Sequence, residues 1–189
     1  MKAQLKEFIV KQFGREPEGL DQVLNAFRPV HAKKNEVLVE VGETCRYCYF
    51  IVEGCLKVAA YNLNGDESTT SLAFEGEWRT AMQSFINQQP SNERIVAVEP
   101  TSLMAIDWRT FQQLSSESPG FSQVYKSLLE TSYTQSVERV QTLMGMNALD
   151  RLKWLLSIHP LIFTRLSNRL IASYLGLSEA TLSRMKTKL

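Results

Sequence analysis

The chain has 189 residues, 44% of them hydrophobic and 22% charged, enough for one large and one small packed unit. With 21 Lys and Arg against 20 Asp and Glu it is almost neutral, a balance that by itself selects neither a polyanion nor a membrane surface as partner. No apolar run approaches the ~20 residues of a membrane span, the start Met1-Lys2-Ala3-Gln4-Leu5-Lys6 has no signal-peptide core, and three cysteines make no disulfide framework, so the expected setting is the cytoplasm.

In chain order, Leu5, Ile9, Val10 and Phe13 predict a first helix, broken over Gly14 to Gly19, and Leu20, Leu24 and Phe27 predict a short second one. After Pro29 the pattern becomes that of short strands: Val37 to Val41, Tyr47 to Val52, Cys55 to Tyr61, Thr69 to Phe74, Arg94 to Val98 and Leu103 to Ile106. Turn signals separate them at Gly42-Glu43, Glu53-Gly54, Asn62 to Asp66, Glu75-Gly76 and Glu99-Pro100, and Asn64-Gly65 is the clearest hairpin turn. Many short strands at this spacing predict a small barrel or jelly roll.

Helical periodicity returns at Asp107, with Trp108, Phe111 and Leu114 on one face, and stops near Pro119. A long helix is then predicted from Gly120 to Met146, carrying Phe121, Val124, Leu128, Tyr133, Val137, Val140 and Met144. This stripe is too long for one short barrel to cover, and the spacing of its last four members suits pairing with an identical helix, so Val124, Leu128, Tyr133, Val137, Val140 and Met144 are read as a homodimer seam. A linker helix from Ala148 to Ile158, with Leu152, Leu155 and Leu156 inward, ends at His159-Pro160.

The last segment, Arg165 to Leu189, has the pattern of a helix-turn-helix. Ile171 and Leu175 lie on one helical face, and Leu182 and Met185 form the facing stripe of a second helix. Ala172 is small where the helices would cross, Gly176 can end the first helix in a left-handed conformation, and Ser178 can cap the second. Two ordinary amphipathic helices around a glycine turn share this periodicity, so charge is a useful second criterion. From Arg151 onward, Arg151, Lys153, Arg165, Arg169, Arg184, Lys186 and Lys188 face a single acid, Glu179, a net +6 behind a body of −5. A basic tail on an acidic body suits a phosphate backbone, and paired recognition helices would meet successive major grooves roughly 34 Å apart. The whole reads as an α+β chain with a β-roll sensor over 1–118, a dimerisation helix over 119–146 and a helix-turn-helix unit over 147–189.

The roll opened by Val41-Gly42-Glu43-Thr44 and continued by Tyr49-Phe50-Ile51-Val52-Glu53-Gly54-Cys55-Leu56-Lys57-Val58, followed by a long helix and a C-terminal helix-turn-helix, resembles the Crp/Fnr family of transcription regulators over essentially the whole chain. The run Tyr174 to Arg184 is similar to the short members common in Bacteroidetes. The resemblance implies double-stranded DNA as partner, a homodimer, RNA polymerase as a further contact, and no membrane.

Two departures shape the expected function. In cyclic-AMP-binding members a cassette supplies a Gly-Glu pair and an Arg-Ser/Thr pair; here the Glu position falls at Ala81 and the Arg position at Ser91, neither of which compensates a buried cyclic phosphate. No cofactor is therefore expected, and Trp78, Arg79, Phe85, Ser91 and Arg94 are candidates for the border of a pocket taking some other effector. In the recognition helix, Glu179-Ala180 replaces the Arg-Glu pair of the cyclic-AMP receptor, which implies a different operator. Glu179, Thr181, Ser183 and Arg184 are candidate base contacts, Arg184 for a guanine, while Arg169, Ser178, Lys186 and Lys188 suit phosphates. With only Pro160 to Leu166 before the motif, the usual wing hairpin is not expected.

Other chemistry has little support. Cys45-Arg46-Tyr47-Cys48 with Cys55 falls short of the four ligands of an iron–sulfur cluster, His31 and His159 are isolated, and no catalytic motif is present, so neither a metal site nor an enzyme is expected. The main alternative is a β-roll that binds a ligand or a protein and carries a vestigial helix-turn-helix.

Overall fold

The computed structural model describes residues 1–62 and 64–189; Leu63, inside the turn read at Asn62 to Asp66, lies outside them. Helices α1 (Lys2–Phe13) and α2 (Leu20–Ala26) open the chain. The strands that follow are β1 (Arg28–Ala32), β2 (Val37–Val39), β3 (Tyr47–Glu53), β4 (Leu56–Tyr61), β5 (Glu67–Ala73), β6 (Trp78–Arg79), β7 (Glu93–Ala97) and β8 (Thr101–Asp107), with α3 (Met82–Asn87) between β6 and β7. The rest is helical: α4 (Trp108–Glu117), α5 (Pro119–Gly145), α6 (Ala148–Ile158), α7 (Ile162–Arg165), α8 (Asn168–Leu175) and α9 (Glu179–Lys186).

Antiparallel pairing arranges the strands as two four-stranded sheets, β1-β8-β3-β6 and β2-β7-β4-β5, the two halves of a β-roll. Interior strand β3 is buried along Cys48 to Val52 because it is covered on both faces, and on one of them Phe8 of α1 sets its ring 5.0 Å from that of Phe50. That double cover is why its sequence is continuously apolar and does not alternate.

Sequence periodicity missed three short elements. Strand β1 contains Pro29, which an edge strand tolerates because its missing N–H can face away from the partner β8. Strand β6 has two residues and α3 has six, without a side-chain cap, too short for a period to register. Where a wing was not expected, the segment before α8 forms the helical turn α7.

Helix α5 starts where local chemistry allows: Pro119 occupies its first turn and the Ser118 hydroxyl accepts from Phe121 N at 3.3 Å. It carries two stripes. Val124 and Leu128 are only 6% and 8% exposed because the chain's own roll covers them, which removes both from the seam read in the sequence. At four-, three- and four-residue steps beyond them, Ser132, Gln135 and Arg139 continue the inward stripe as polar groups. The outward stripe is Leu129, Tyr133, Val137, Val140 and Met144, with Tyr133 73% and Met144 84% exposed.

Two cores result. One fills the roll and takes in α1, α2, α4 and the start of α5. The other joins Leu152, Leu155, Ile162, Ile171, Leu175 and Leu182 of the C-terminal helices to Cys55, Leu72 and Phe74 of the roll. Polar contacts rim this second core. Ser173 of α8 donates its hydroxyl to Thr69 Oγ1 at 3.0 Å and accepts from Thr69 N at 3.0 Å. Arg165 bridges Glu75, at 3.0 Å from Nη1 to Oε2, and Glu99. His159, half-buried, packs its ring 4.1 Å from that of Phe74.

Burial of His159 penalises its charged form and holds its pKa below 6.5, with Glu77 opposing the shift and Arg165 reinforcing it. Above about pH 6.5 the imidazole is neutral in both folded and unfolded chains; as pH falls below that value the unfolded chain takes up the proton first, and stability is lost. The melting temperature should therefore drop between about pH 7.5 and about pH 5.5 more steeply in the wild type than in His159→Gln. Parallel curves for the two proteins, followed by calorimetry, would refute this role.

Candidate nucleic-acid interface and effector cavity

The helix-turn-helix is built by local rules. Ser167 caps α8 by accepting from Leu170 N at 3.2 Å, Gly176 ends it at φ 66°, and Ser178 caps α9 by accepting from Thr181 N at 3.1 Å. Ile171, Ala172, Leu175 and Leu182 are buried between the helices, which turns the opposite face of α9 outward. Glu179, Ser183 and Arg184 are exposed on α9 and Thr181 half so; Lys186 is exposed at its end and Lys188 just beyond it, with Ser178 exposed at the start of α9 and Arg169 exposed in the first turn of α8.

Side chains on this face are partly preset. The hydroxyls of Ser178 and Thr181 lie 2.9 Å apart, and Arg184 Nη2 donates to Thr181 Oγ1 at 3.3 Å, so Thr181 orients the arginine. Lys186 lies 4.1 Å above the Phe163 ring and donates to Asn168 Oδ1 at 3.3 Å, close to the start of α8.

The residues read as bordering an effector pocket are dispersed. Phe85 is buried in the roll core with its ring 5.2 Å from that of Phe111. Ser91 closes a turn: its hydroxyl donates to Glu93 O at 2.8 Å and accepts from Glu93 N at 3.0 Å. Arg94 turns to the outer side of the roll, where it pairs with Glu40 at 2.9 Å and Glu67 at 3.4 Å. Ala81 is buried at the start of α3. These residues do not fit a cyclic nucleotide held in the family's cassette: one position is an inward methyl and the other a hydroxyl already satisfied by backbone.

Trp78 and Arg79 do line a cavity, of about 660 Å³, between the roll, the inward polar stripe of α5 and the helix-turn-helix unit. Arg79 Nη2 donates to Leu72 O at 3.3 Å, while its buried Nε has no partner among the described residues. Arg139 stacks 4.0 Å over the Tyr174 ring and donates through Nη2 to Tyr174 O, leaving Nε and Nη1 buried and unpartnered. Burial lowers the pKa of both guanidiniums. Burial also raises the pKa of the Tyr174 phenol, which both arginines pull down.

Three acids share this wall. Glu77 accepts from Phe74 N at 2.8 Å and from Gln135 Nε2 at 2.9 Å. Glu93 has its pKa raised by burial, against the pull of Arg79, and Glu138 is exposed at the rim. Arg139, Tyr174, Trp154 and His159 were not anticipated as cavity residues, and the available signal was subtle: the inward stripe of α5 turns from Val124 and Leu128 to Ser132, Gln135 and Arg139 without leaving the face.

Redox and metal chemistry has no such setting among the described residues, where no three His, Cys, Asp or Glu side chains are grouped to hold a metal ion. All three cysteines are buried, and burial drives the Cys48 thiol up to about 12, where it stays protonated.

Residues 29–118 match the cyclic nucleotide-binding domain family. Over 184 residues the chain is 26% identical to the fumarate and nitrate reduction regulatory protein of Vibrio cholerae, covering 90% of this chain and 71% of that one. Its fold is similar to that of FixK2 from Bradyrhizobium japonicum, with a TM-score of 0.74 at 16% identity over 86% of this chain and 84% of that one. It is likewise similar to a structure described as a transcriptional regulator of the crp/fnr family from Eubacterium rectale, with a TM-score of 0.71 at 16% identity over 89% of this chain and 81% of that one. These matches show a domain of the cyclic nucleotide-binding type over residues 29–118, and the chain's roll, long helix and C-terminal helix-turn-helix make up a fold shared with FixK2 and with the Eubacterium rectale protein.

Proposed function

We infer that the protein binds double-stranded DNA as a homodimer through α9 and regulates transcription in response to an effector other than cyclic AMP. The observation that carries this reading is the outward face of α9, where Ser178, Thr181 and Arg184 form a hydrogen-bonded series ending in a guanidinium at the surface. An arginine held in this way is suited to the paired acceptors of guanine, N7 and O6, while the exposed cations Arg169, Lys186 and Lys188 are suited to the flanking phosphates. Glu179 at the start of the helix suits a cytosine amino group, which makes for an operator unlike that of the cyclic-AMP receptor.

Dimerisation is supported by the outward stripe of α5. Five large apolar side chains at helical spacing, left uncovered by their own chain, are what a self-complementary two-fold seam requires. RNA polymerase is a further partner consistent with the resemblance to Crp/Fnr regulators. The reading against cyclic AMP rests on Ala81 and Ser91, whose side chains give a cyclic phosphate no cation at the cassette position.

Selection from random duplexes should enrich one palindromic sequence, and Arg184→Ala should relax its specificity at one base pair per half-site with a loss of about 1–3 kcal/mol. A uniform loss on all sequences would demote Arg184 to a phosphate contact, and no enrichment at all would favour a roll with a vestigial helix-turn-helix. Val140→Glu together with Met144→Glu should convert a dimer to a monomer in analytical ultracentrifugation without altering the melting of the roll; an unchanged sedimentation coefficient would remove α5 from the interface. Cyclic AMP should leave the melting temperature unchanged, and a saturable rise on titration would overturn the effector reading.

A further inference from the structure

We propose that the cavity between the roll, α5 and the helix-turn-helix unit is a site for a compact organic anion, with a carboxylate or phosphate held between Arg79 and Arg139, and that its occupancy braces the recognition unit through Tyr174. This rests on the effector reading above and supplies its chemistry. Ala81 and Ser91 do not line the cavity, but Thr80, Met82 and Glu93 do, so it adjoins the cassette position and presents Arg79 and Arg139 in place of the cassette's own groups.

The cavity wall carries unmet hydrogen bonds. A buried guanidinium N–H without an acceptor is costly, and native interiors answer such groups with a carboxylate, a carbonyl or a bound anion. Here two arginines from different elements leave Nε of Arg79 and both Nε and Nη1 of Arg139 without one among the described residues. Neighbouring acids do not complete them: Glu77 is spent on Phe74 N and Gln135, Glu138 faces solvent, and Glu93 forms no ion pair with either arginine. An anion entering the cavity is the missing partner, and charge-assisted hydrogen bonds make it a strong one.

Size and walls narrow the class. About 660 Å³ lies within the range of small-molecule pockets, well beyond a bare inorganic ion. Trp154 offers an aromatic wall, while Ser132 and Gln135 offer hydroxyl and amide groups. The ligand is thus an organic acid or phosphomonoester with a body that packs and hydrogen-bonds.

Coupling follows from the free edges of Arg139. The atoms left for a ligand are not Nη2, which already donates to Tyr174 O, so ligand binding holds the guanidinium in place over the tyrosine. Tyr174 belongs to α8, against which α9 packs, and the bound anion therefore stiffens the seat of the recognition helix.

The full chain is melted in phosphate, in succinate and in chloride at matched ionic strength, as wild type, Arg79→Met, Arg139→Met and Ser132→Phe. Phosphate and succinate should raise the wild-type melting temperature above that in chloride, succinate more. The rise should vanish in all three variants, the last of which fills the cavity while leaving both arginines in place. Without the added anions Arg79→Met should melt no lower than wild type, because an unpaired buried charge has been removed. A rise that persists in Ser132→Phe and in the arginine variants, or no rise in the wild type, overturns the proposal. Operator binding is measured in parallel: anion-dependent stabilisation without DNA binding would retain the site and defeat the regulator reading, whereas DNA binding without it would defeat this proposal alone.

Discussion

The C-terminal helices cannot bury their own apolar surface. A unit of roughly 40 residues is at the lower limit for an independent core, and this one closes its core by borrowing Cys55, Leu72 and Phe74 from the roll. The ion pairs of Arg165 with Glu75 and Glu99 lie at the rim with partly exposed side chains, where such pairs contribute little energy and mainly select a registration. The apolar contact is the attachment, and the polar rim specifies its orientation. Whatever moves the end of β5 and its following turn moves α8, and with it the outward face of α9.

Helix α5 satisfies a second constraint from both sides. Its inward stripe begins as ordinary core at Val124 and Leu128, then continues with Ser132, Gln135 and Arg139, which apolar packing could not accommodate. The cavity is what remains when a helix keeps facing the roll but changes its chemistry. Its outward stripe stays apolar from Leu129 to Met144. One helix thus bears the cavity wall, the candidate seam and, near its end, the carbonyl of Leu143, which receives Arg151 at 2.9 Å. A change on any of these faces is felt by the others because they share a single rigid rod.

Features encoded within a few residues were legible in the sequence. The caps Ser178 and Gly176, the apolar pairs of α8 and α9, and the unbroken run of β3 follow from rules with a reach of one turn or one strand. The cavity did not, since Arg79, Arg139, Trp154 and Tyr174 come from four separated segments and meet only through the shared core. The same limit explains the misplaced pocket residues: Phe85 and Arg94 are separated by nine positions, yet one faces the core from α3 and the other faces outward from β7. The dimer seam began too early for a related reason. Periodicity places Val124 and Leu128 on a helical face but does not say which neighbour covers that face.

Charge is where sequence and structure diverge most usefully. The net +6 of the last 39 residues counts every cation as available to a phosphate, yet two of the seven have been spent on the fold. Arg151 donates to Met146 O, Leu175 O and Leu143 O, closing the carbonyl ends of α5 and α8, and Arg165 is held by two carboxylates of the roll. What remains at the surface beside the motif is Arg169, Arg184, Lys186 and Lys188. The cations are therefore divided by position: the guanidiniums pinned to helix ends and to the roll set where α9 sits, and those left outside are the ones that the proposed DNA-binding role would draw on for a phosphate backbone and its salt dependence.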